Sequence, residues 1–350
     1  MAIHKLGIIG YGGMGSYHHR KLPKPDNLRY VAACDLLPNR RDLAKEDGLT
    51  VYETPDALLN DPEVEAVLIA TPNHLHFPLA MAALEHGKHV ICEKPATLTA
   101  GEFQQLMDAA RERKLLLTCH QNRRMDKDFL MIRKILQAGE LGEVFRLESR
   151  VEGSRGIADT WRRKKEFGGG MLYDWGAHLI DQILLLTPGV VTSVFMRQQH
   201  LIESDADDNF RLELEFDTGL SALVEIGTCN YIMHPLWYVL GRKGSAQIDY
   251  WDLSGKIVTL TNETIRWEDE IKPNIAGPSI TMAPRSEDTV AVKPLPEVER
   301  DAAFFYRNFA RALEGEEPLQ VDPAQTLRVM QIIDLAFASA EQNQVLRCKI

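Results

Sequence analysis

Three groups of residues have types and spacings that could do chemistry. Gly10-Tyr11-Gly12-Gly13-Met14-Gly15 follows a short apolar run, Leu6 to Ile9, and has the glycine spacing of a tight strand-to-helix turn. The next apolar run ends at Asp35, twenty residues beyond Gly15. At that spacing a carboxylate reaches the ribose hydroxyls of a dinucleotide whose pyrophosphate rests on the helix N-terminus. A tight turn with no ligand is the bland alternative, and the strand before the glycines and the carboxylate after them count against it. Lys94 directly follows another apolar run, Lys88 to Glu93. An ammonium at a core edge needs a partner or a substrate, and Glu93 is the ordinary partner. In the second half, Asp174, His178 and Asp181 would lie within about 60° of one another on a helix, opposite Leu172, Trp175, Leu179, Ile183 and Leu186. Periodicity alone favours a solvated polar face there.

A carboxylate at Asp35 accepts from a ribose hydroxyl and repels a 2′-phosphate, so NAD is expected over NADP. Arg40 and Arg41, a few residues on, could reach such a phosphate, but a solvated helix face suits them better. His74 and His76 lack the Cys or carboxylate spacing of a metal site, and no metal is expected.

These residues need elements to position them. The first 120 residues alternate runs such as Lys5 to Ile9, Tyr30 to Asp35, Val64 to Thr71, Lys88 to Glu93 and Leu115 to Cys119 with helical patterns. Continuous Val, Ile, Leu, Ala and Cys suits strands buried on both faces, so the expectation is a doubly wound parallel α/β sheet of the Rossmann type. Thr99 and Glu102 have the form of a capping box. From about residue 143 longer alternating runs appear, with a hairpin from Phe210 to Phe216 and Leu220 to Thr228, and further strands near 236–241, 246–250 and 256–260. They predict an α+β second domain with a large, mostly antiparallel open sheet. Residues 272–296 read as a surface loop, and helices are expected at 299–313 and 323–342. The expected division is 1–122 for dinucleotide binding and 123–350 for substrate binding and oligomerisation.

Composition narrows the class. The 350 residues are 45% hydrophobic and 26% charged, with 24 Gly and 17 Pro, which excludes disordered and collagen-like chains. A net charge of −10 argues against a nucleic-acid partner. No apolar stretch is long enough for a membrane span, and the five cysteines are widely spaced, so a soluble cytoplasmic protein with reduced thiols is expected.

The combination of Gly10 to Gly15, Ala70 to His76, Glu93-Lys94-Pro95, Asn122-Arg123-Arg124, and Gly168-Gly169-Gly170 followed by Asp174, His178 and Asp181 resembles the Gfo/Idh/MocA family of sugar and inositol oxidoreductases. The match runs in order to about residue 190. The resemblance implies that Lys94, Asp174 and His178 form the catalytic set. It places Thr71, Asn73, His76, Glu93, Lys94 and Gln121 along the cofactor, together with Gly10, Gly12, Gly13, Met14, Gly15 and Asp35, and brings Trp161 and Arg162 toward cofactor or substrate. Arg124 and Asp181, with Asn230 and Tyr231 as further polar candidates, would join Lys94, Asp174 and His178 in reading substrate hydroxyls.

The activity expected is oxidation of a secondary hydroxyl of an inositol, pyranose sugar or glycoside, with His178 as base and Lys94 steadying the developing alkoxide. A glycosidase using NAD in a transient oxidation, or a dinucleotide and sugar sensor, are the rival readings. The open sheet suggests a homodimer or homotetramer.

Overall fold

The computed structural model describes residues 3–261, 277, 285 and 287–350. Near-continuous apolar runs become six short parallel strands: β1 (His4–Ile9), β2 (Leu28–Cys34), β3 (Thr50–Tyr52), β4 (Ala66–Ile69), β5 (His89–Cys92) and β6 (Leu117–Cys119). Their order is β3-β2-β1-β4-β5-β6, so the strand order reverses between β1 and β4. Ligands of doubly wound sheets bind at that crevice, beyond the carboxyl ends of the strands. Connecting them are α1 (Gly13–Arg20), α2 (Pro38–Glu46), α3 (Pro55–Leu59), α4 (His76–Glu85) and α5 (Ala100–Arg113). The Thr99 and Glu102 capping box opens α5 as expected. β3, only three residues long, was not anticipated from the sequence; Thr50-Val51-Tyr52 is too short for periodicity to register.

After α6 (Lys127–Ala138) come β7 (Val144–Glu152), α7 (Ala177–Leu186), β8 (Val191–Gln199), β9 (Asn209–Phe216), β10 (Ser221–Gly227), β11 (Trp237–Gly241), β12 (Gly244–Ile248) and β13 (Gly255–Leu260). Then follow β14 (Val290–Lys293), α8 (Phe304–Leu313), α9 (Pro323–Gln342) and β15 (Leu346–Arg347). Among the described residues the nine strands form one sheet, β14-β13-β12-β11-β7-β10-β9-β8-β15, antiparallel except where β7 meets β10. The hairpin of β9 and β10 is in the expected place. Of the expected loop at 272–296, residues 272–276, 278–284 and 286 lie outside the described residues, while 290–293 pair with β13 as an edge strand, a correction to the loop assignment.

The helices α7 and α9 pack on one face of this sheet, and α9 also reaches α5 and β6. Chain order does not follow the layers throughout. Tyr306, Phe309 and Ala310 of α8 fill a core with Leu6, Ile8, Tyr30 and Ala33, so the helix belongs by packing to the first sheet although it lies far beyond residue 122.

Candidate active site

The glycine turn is shaped by close contacts. Gly10 has φ +95°, and a Cβ there would meet the Ala70 carbonyl oxygen at 2.6 Å; at Gly15 a Cβ would meet the Gly10 carbonyl oxygen at 2.0 Å. Only glycine lets α1 start this close to β1 and β4. At Gly12 and Gly13 a Cβ would meet nothing within 4 Å, so the backbone N-terminal to α1 faces open space, with Met14 half-exposed beside it. Asp35 follows β2 and accepts from the N–H groups of Tyr11 (2.8 Å) and Leu37 (2.9 Å), which binds the turn to the β2 end. Arg41, a possible phosphate ligand, instead donates to the backbone oxygens of Asp35 and Leu36. Thr71, after β4, holds a buried hydroxyl with no hydrogen-bond partner among the described residues. An open cradle at a helix N-terminus, a carboxylate at the β2 end and an unpaired hydroxyl at the switch point fit a dinucleotide.

Lys94 lies just past β5, before a cis Lys94–Pro95 bond. Its Nζ donates to Asp174 Oδ1 at 2.7 Å and to the Asp174 carbonyl at 2.8 Å, so the pairing with Glu93 weighed from sequence is not the one formed. Burial pushes the Asp174 carboxyl up, but the Lys94 ammonium, aided by Arg162 and Arg123, outweighs it and holds the group below its ordinary range. Arg162 Nε stands 3.8 Å from Asp174 Oδ2, with its guanidinium 4.6 Å from the Trp161 ring centre. Arg162 thus approaches the Lys94–Asp174 pair, with Trp161 against its guanidinium.

Asp174 sits in a π-helical turn, Leu172–Gly176, that runs into α7. The polar side of this helix is not a solvated face: His178 is 5% and Asp181 2% exposed. His178 Nδ1 lies 3.3 Å from Gln121 Oε1. Since an amide oxygen accepts, Nδ1 carries the proton and Nε2 is the basic nitrogen. Burial, then the charges of Lys94 and Arg123, holds the imidazole well below its ordinary value, so it is neutral at neutral pH. The Arg123 guanidinium carbon also lies over Trp175, 3.9 Å from its ring centre, and Trp251 stands 5.8 Å from Trp175, which puts aromatic surface beside His178.

Several expected ligands are otherwise engaged. Asp181 and Arg124 are bound to each other, Nε to Oδ2 at 2.7 Å and Nη2 to Oδ1 at 2.6 Å, and Arg124 also donates to the Gln320 carbonyl and Gln325 Oε1. They brace α7 against the turn after β6. Asn230 donates to Glu152 and, like Arg197 and Arg211, lines a hollow of about 660 Å³ on the larger sheet whose lining lacks Lys94, Asp174 and His178; Tyr231 is 84% exposed. His76 contacts the Pro95 and Thr71 carbonyls, and Asn73 donates to the Gly168 carbonyl at 2.7 Å, so both tie loops together. At Gly168, φ +71°, a Cβ would strike Leu98 and Asn73, which explains the glycine there.

Glu93, expected along the cofactor, is turned inward. Its Oε1 accepts from His18 Nε2 (2.7 Å) and His120 Nδ1 (2.8 Å), and the Lys94 N–H lies 3.2 Å from Oε2. Two histidines and a carboxylate could chelate a metal, but bonds of roughly 2.0 Å to one tetrahedral ion would hold ligand atoms more than 3 Å apart. The separations here are those of shared protons. Sequence reasoning gave no role to His18, His120, Arg123 or Trp251, although Arg123 stood in the Asn122-Arg123-Arg124 run. His120 had a signal, since it directly precedes Gln121 at the carboxyl end of a parallel strand; His18 and Trp251 had none.

The fold and the glycine turn define a dinucleotide-dependent oxidoreductase. A model of the oxidoreductase family, NAD-binding Rossmann fold, matches residues 4–121, and one of the GFO/IDH/MocA C-terminal domain matches 129–247. The chain belongs to the Gfo/Idh/MocA family and is an NAD(P)-dependent oxidoreductase acting on CH–OH groups. Over 351 residues it is 31% identical to the scyllo-inositol 2-dehydrogenase (NADP(+)) IolW of Bacillus subtilis, covering 98% of this chain and 95% of that one. It is 28% identical to the inositol 2-dehydrogenase of Salmonella paratyphi B, over 70% and 73% of the two chains. A crystal structure of an NAD-binding protein from Listeria innocua superposes with a TM-score of 0.95 at 41% identity, covering 99% and 100% of the two chains. Among the described residues no helix is long and apolar enough to cross a membrane.

Proposed function

We propose that the protein oxidises a secondary hydroxyl of a polyhydroxylated ring, an inositol, a pyranose sugar or a glycoside, by hydride transfer to bound nicotinamide, with NAD preferred over NADP. The observation that carries this reading is the 3.3 Å contact of buried His178 Nδ1 with Gln121 Oε1, which leaves Nε2 as the proton acceptor beside the Lys94–Asp174 pair. His178 takes the hydroxyl proton. Lys94 steadies the oxygen as negative charge grows on it, a contribution that is larger in the transition state than in the ground state. Asp174 holds Lys94 in place and, through its second oxygen, meets Arg162. Trp175 and Trp251 offer aromatic faces to the C–H side of a ring. The names of the inositol dehydrogenase relatives support the substrate class.

A panel of inositols, pyranoses and glycosides, followed by NADH absorbance and by release of free sugar, tests the reading. NADH accumulation with one ring alcohol is expected. Sugar release without NADH would replace the dehydrogenase by a glycosidase, and binding of sugar and NAD with neither product would replace it by a sensor.

The preference for NAD rests on Asp35, which would repel a 2′-phosphate, and on the engagement of Arg41 with backbone oxygens. The Bacillus relative is named for NADP, so the point is open to a direct test. Asp35→Ala should narrow the preference by about 1.5–3 kcal/mol, the size of a hydrogen bond to a charged group. Equal kcat/KM with both cofactors in the parent protein would overturn it.

A further inference from the structure

A buried chain of polar groups lies behind Lys94, and its protons can be placed one by one. An ionised Glu93 only accepts, so His18 Nε2 and His120 Nδ1 both carry protons toward Oε1. Burial, and after it the charge interaction with His120, lowers His18 to about 4, so its ring is neutral and Nδ1 is bare. Tyr306 Oη must then donate to His18 Nδ1, which leaves it to accept from Tyr30 Oη at 2.6 Å. All five side chains are buried. Burial opposes the charge of Glu93, but the donors His120 and His18 outweigh it and keep the carboxyl well below its ordinary value.

The chain joins what the reaction must hold in register. His18 is on α1, which starts in the glycine turn; Glu93 precedes Lys94; His120 precedes Gln121, which fixes His178; Tyr306 comes from α8. We infer that Glu93 is a positioning residue, whose single carboxylate, shared by His18 and His120, sets the cofactor helix, Lys94 and the Gln121–His178 contact relative to one another. This rests on the reading that Lys94 and His178 act on the substrate hydroxyl. Glu93 makes its contribution through these neighbours and also through charge. The charged groups around His178 are Lys94 from the β5 end, Arg123 and His120 from the β6 end, Asp174 one turn earlier on its own helix and already paired with Lys94, and Glu93, whose negative charge favours the imidazolium.

The test compares the parent with Glu93→Gln, His120→Ala, His120→Asn and His178→Ala, using NAD and the ring alcohol that the panel identifies. NAD binding is followed by tryptophan fluorescence. Glu93→Gln keeps the shape and removes the charge. It should lower turnover by about 10²-fold, the cost of a small misplacement of reacting groups, while NAD still binds. It should also move the acidic limb of kcat/KM by about one unit toward lower pH, because the imidazolium of His178 loses its nearby anion. Asn places an N–H donor close to the position of His Nδ1, so His120→Asn should recover most of what His120→Ala loses, and this pair decides the matter if Glu93→Gln does not fold. A fall in turnover with an unmoved limb, or equal activity of His120→Ala and His120→Asn, would overturn the inference. If His178→Ala matched the parent, the reading beneath it would fall, and that variant alone would report it.

Discussion

At the scale of single residues, the site separates two jobs by environment. Asp174 stays charged because the Lys94 ammonium meets it at 2.7 Å, while His178 stays neutral because it is buried beside cations. Replacing His178 by Ala removes the proton acceptor, and replacing Lys94 by Ala removes the charge that meets the alkoxide. Each should cut turnover by about 10²- to 10⁴-fold, the usual worth of a placed acid–base group, while NAD binding persists. Near-normal turnover of His178→Ala with an unchanged pH profile would show that the base lies elsewhere. Buried neutral histidines also tie stability to pH. The folded value of His18, about 4, lies below the ordinary value of 6.5, so the unfolded chain binds the extra proton between those pH values. Stability from His18 is complete above about pH 6.5 and declines as pH falls toward 4, by about 3 kcal/mol in all. His76 and His178 act in the same direction. Urea unfolding at pH 7 and pH 5 should show the decline, and His18→Gln should make it shallower; equal slopes in both proteins would count against this assignment.

At the scale of elements, most of what positions the site could be read from sequence, and the exceptions have physical reasons. Strands buried on both faces announce themselves as continuous apolar runs, and Thr99 with Glu102 marks a helix start by local chemistry alone. Gly10 to Gly15 was legible because the turn permits no side chain at two of its positions. Partner choice was not legible. Nothing in the spacing tells Lys94 to choose Asp174 over Glu93, or Arg124 to face Asp181, because those contacts join segments 80 and 57 residues apart. The π-helical turn at Leu172–Gly176 was equally hidden, since 100° periodicity assumes an α-helix throughout. The Arg124–Asp181 pair lets the consequence be measured. Both side chains are under a tenth exposed, and Asp181→Asn leaves the guanidinium buried without its counter-charge. A loss of about 3–5 kcal/mol is expected in urea unfolding, as for other broken buried pairs. The exposed Arg111–Asp108 pair is the control: Asp108→Asn should change stability little. Equal effects at the two sites would refute the bracing role of Arg124 and Asp181.

At the scale of the whole molecule, the larger sheet has two unlike faces. One carries α7 and α9. On the other, adjacent strands present Arg146, Glu148 and Arg150 from β7, Glu225 from β10, and Arg211, Glu213 and Glu215 from β9. These residues pair across and along the strands, with Arg150 bonded to Glu148 and, at 2.8 Å, to Glu225, and Arg211 3.2 Å from Glu213. The alternation in Phe210 to Phe216 leaves its outward positions, Arg211, Glu213 and Glu215, charged and exposed. Interleaved positive and negative side chains allow a copy turned about a twofold axis to set a cation of one face against an anion of the other, i against j and j against i. A homodimer through this face, or a tetramer built from such dimers, is therefore expected. Charges at the rim of such an interface are screened by salt, so its affinity should fall as ionic strength rises. Sedimentation or light scattering at micromolar concentration should report at least twice the chain mass in low salt. Arg150→Glu places three carboxylates together with Glu148 and Glu225 and should shift the protein toward monomer, with secondary structure retained by circular dichroism. A monomer at all ionic strengths, or a dimer indifferent to Arg150→Glu, would rule this face out as the interface.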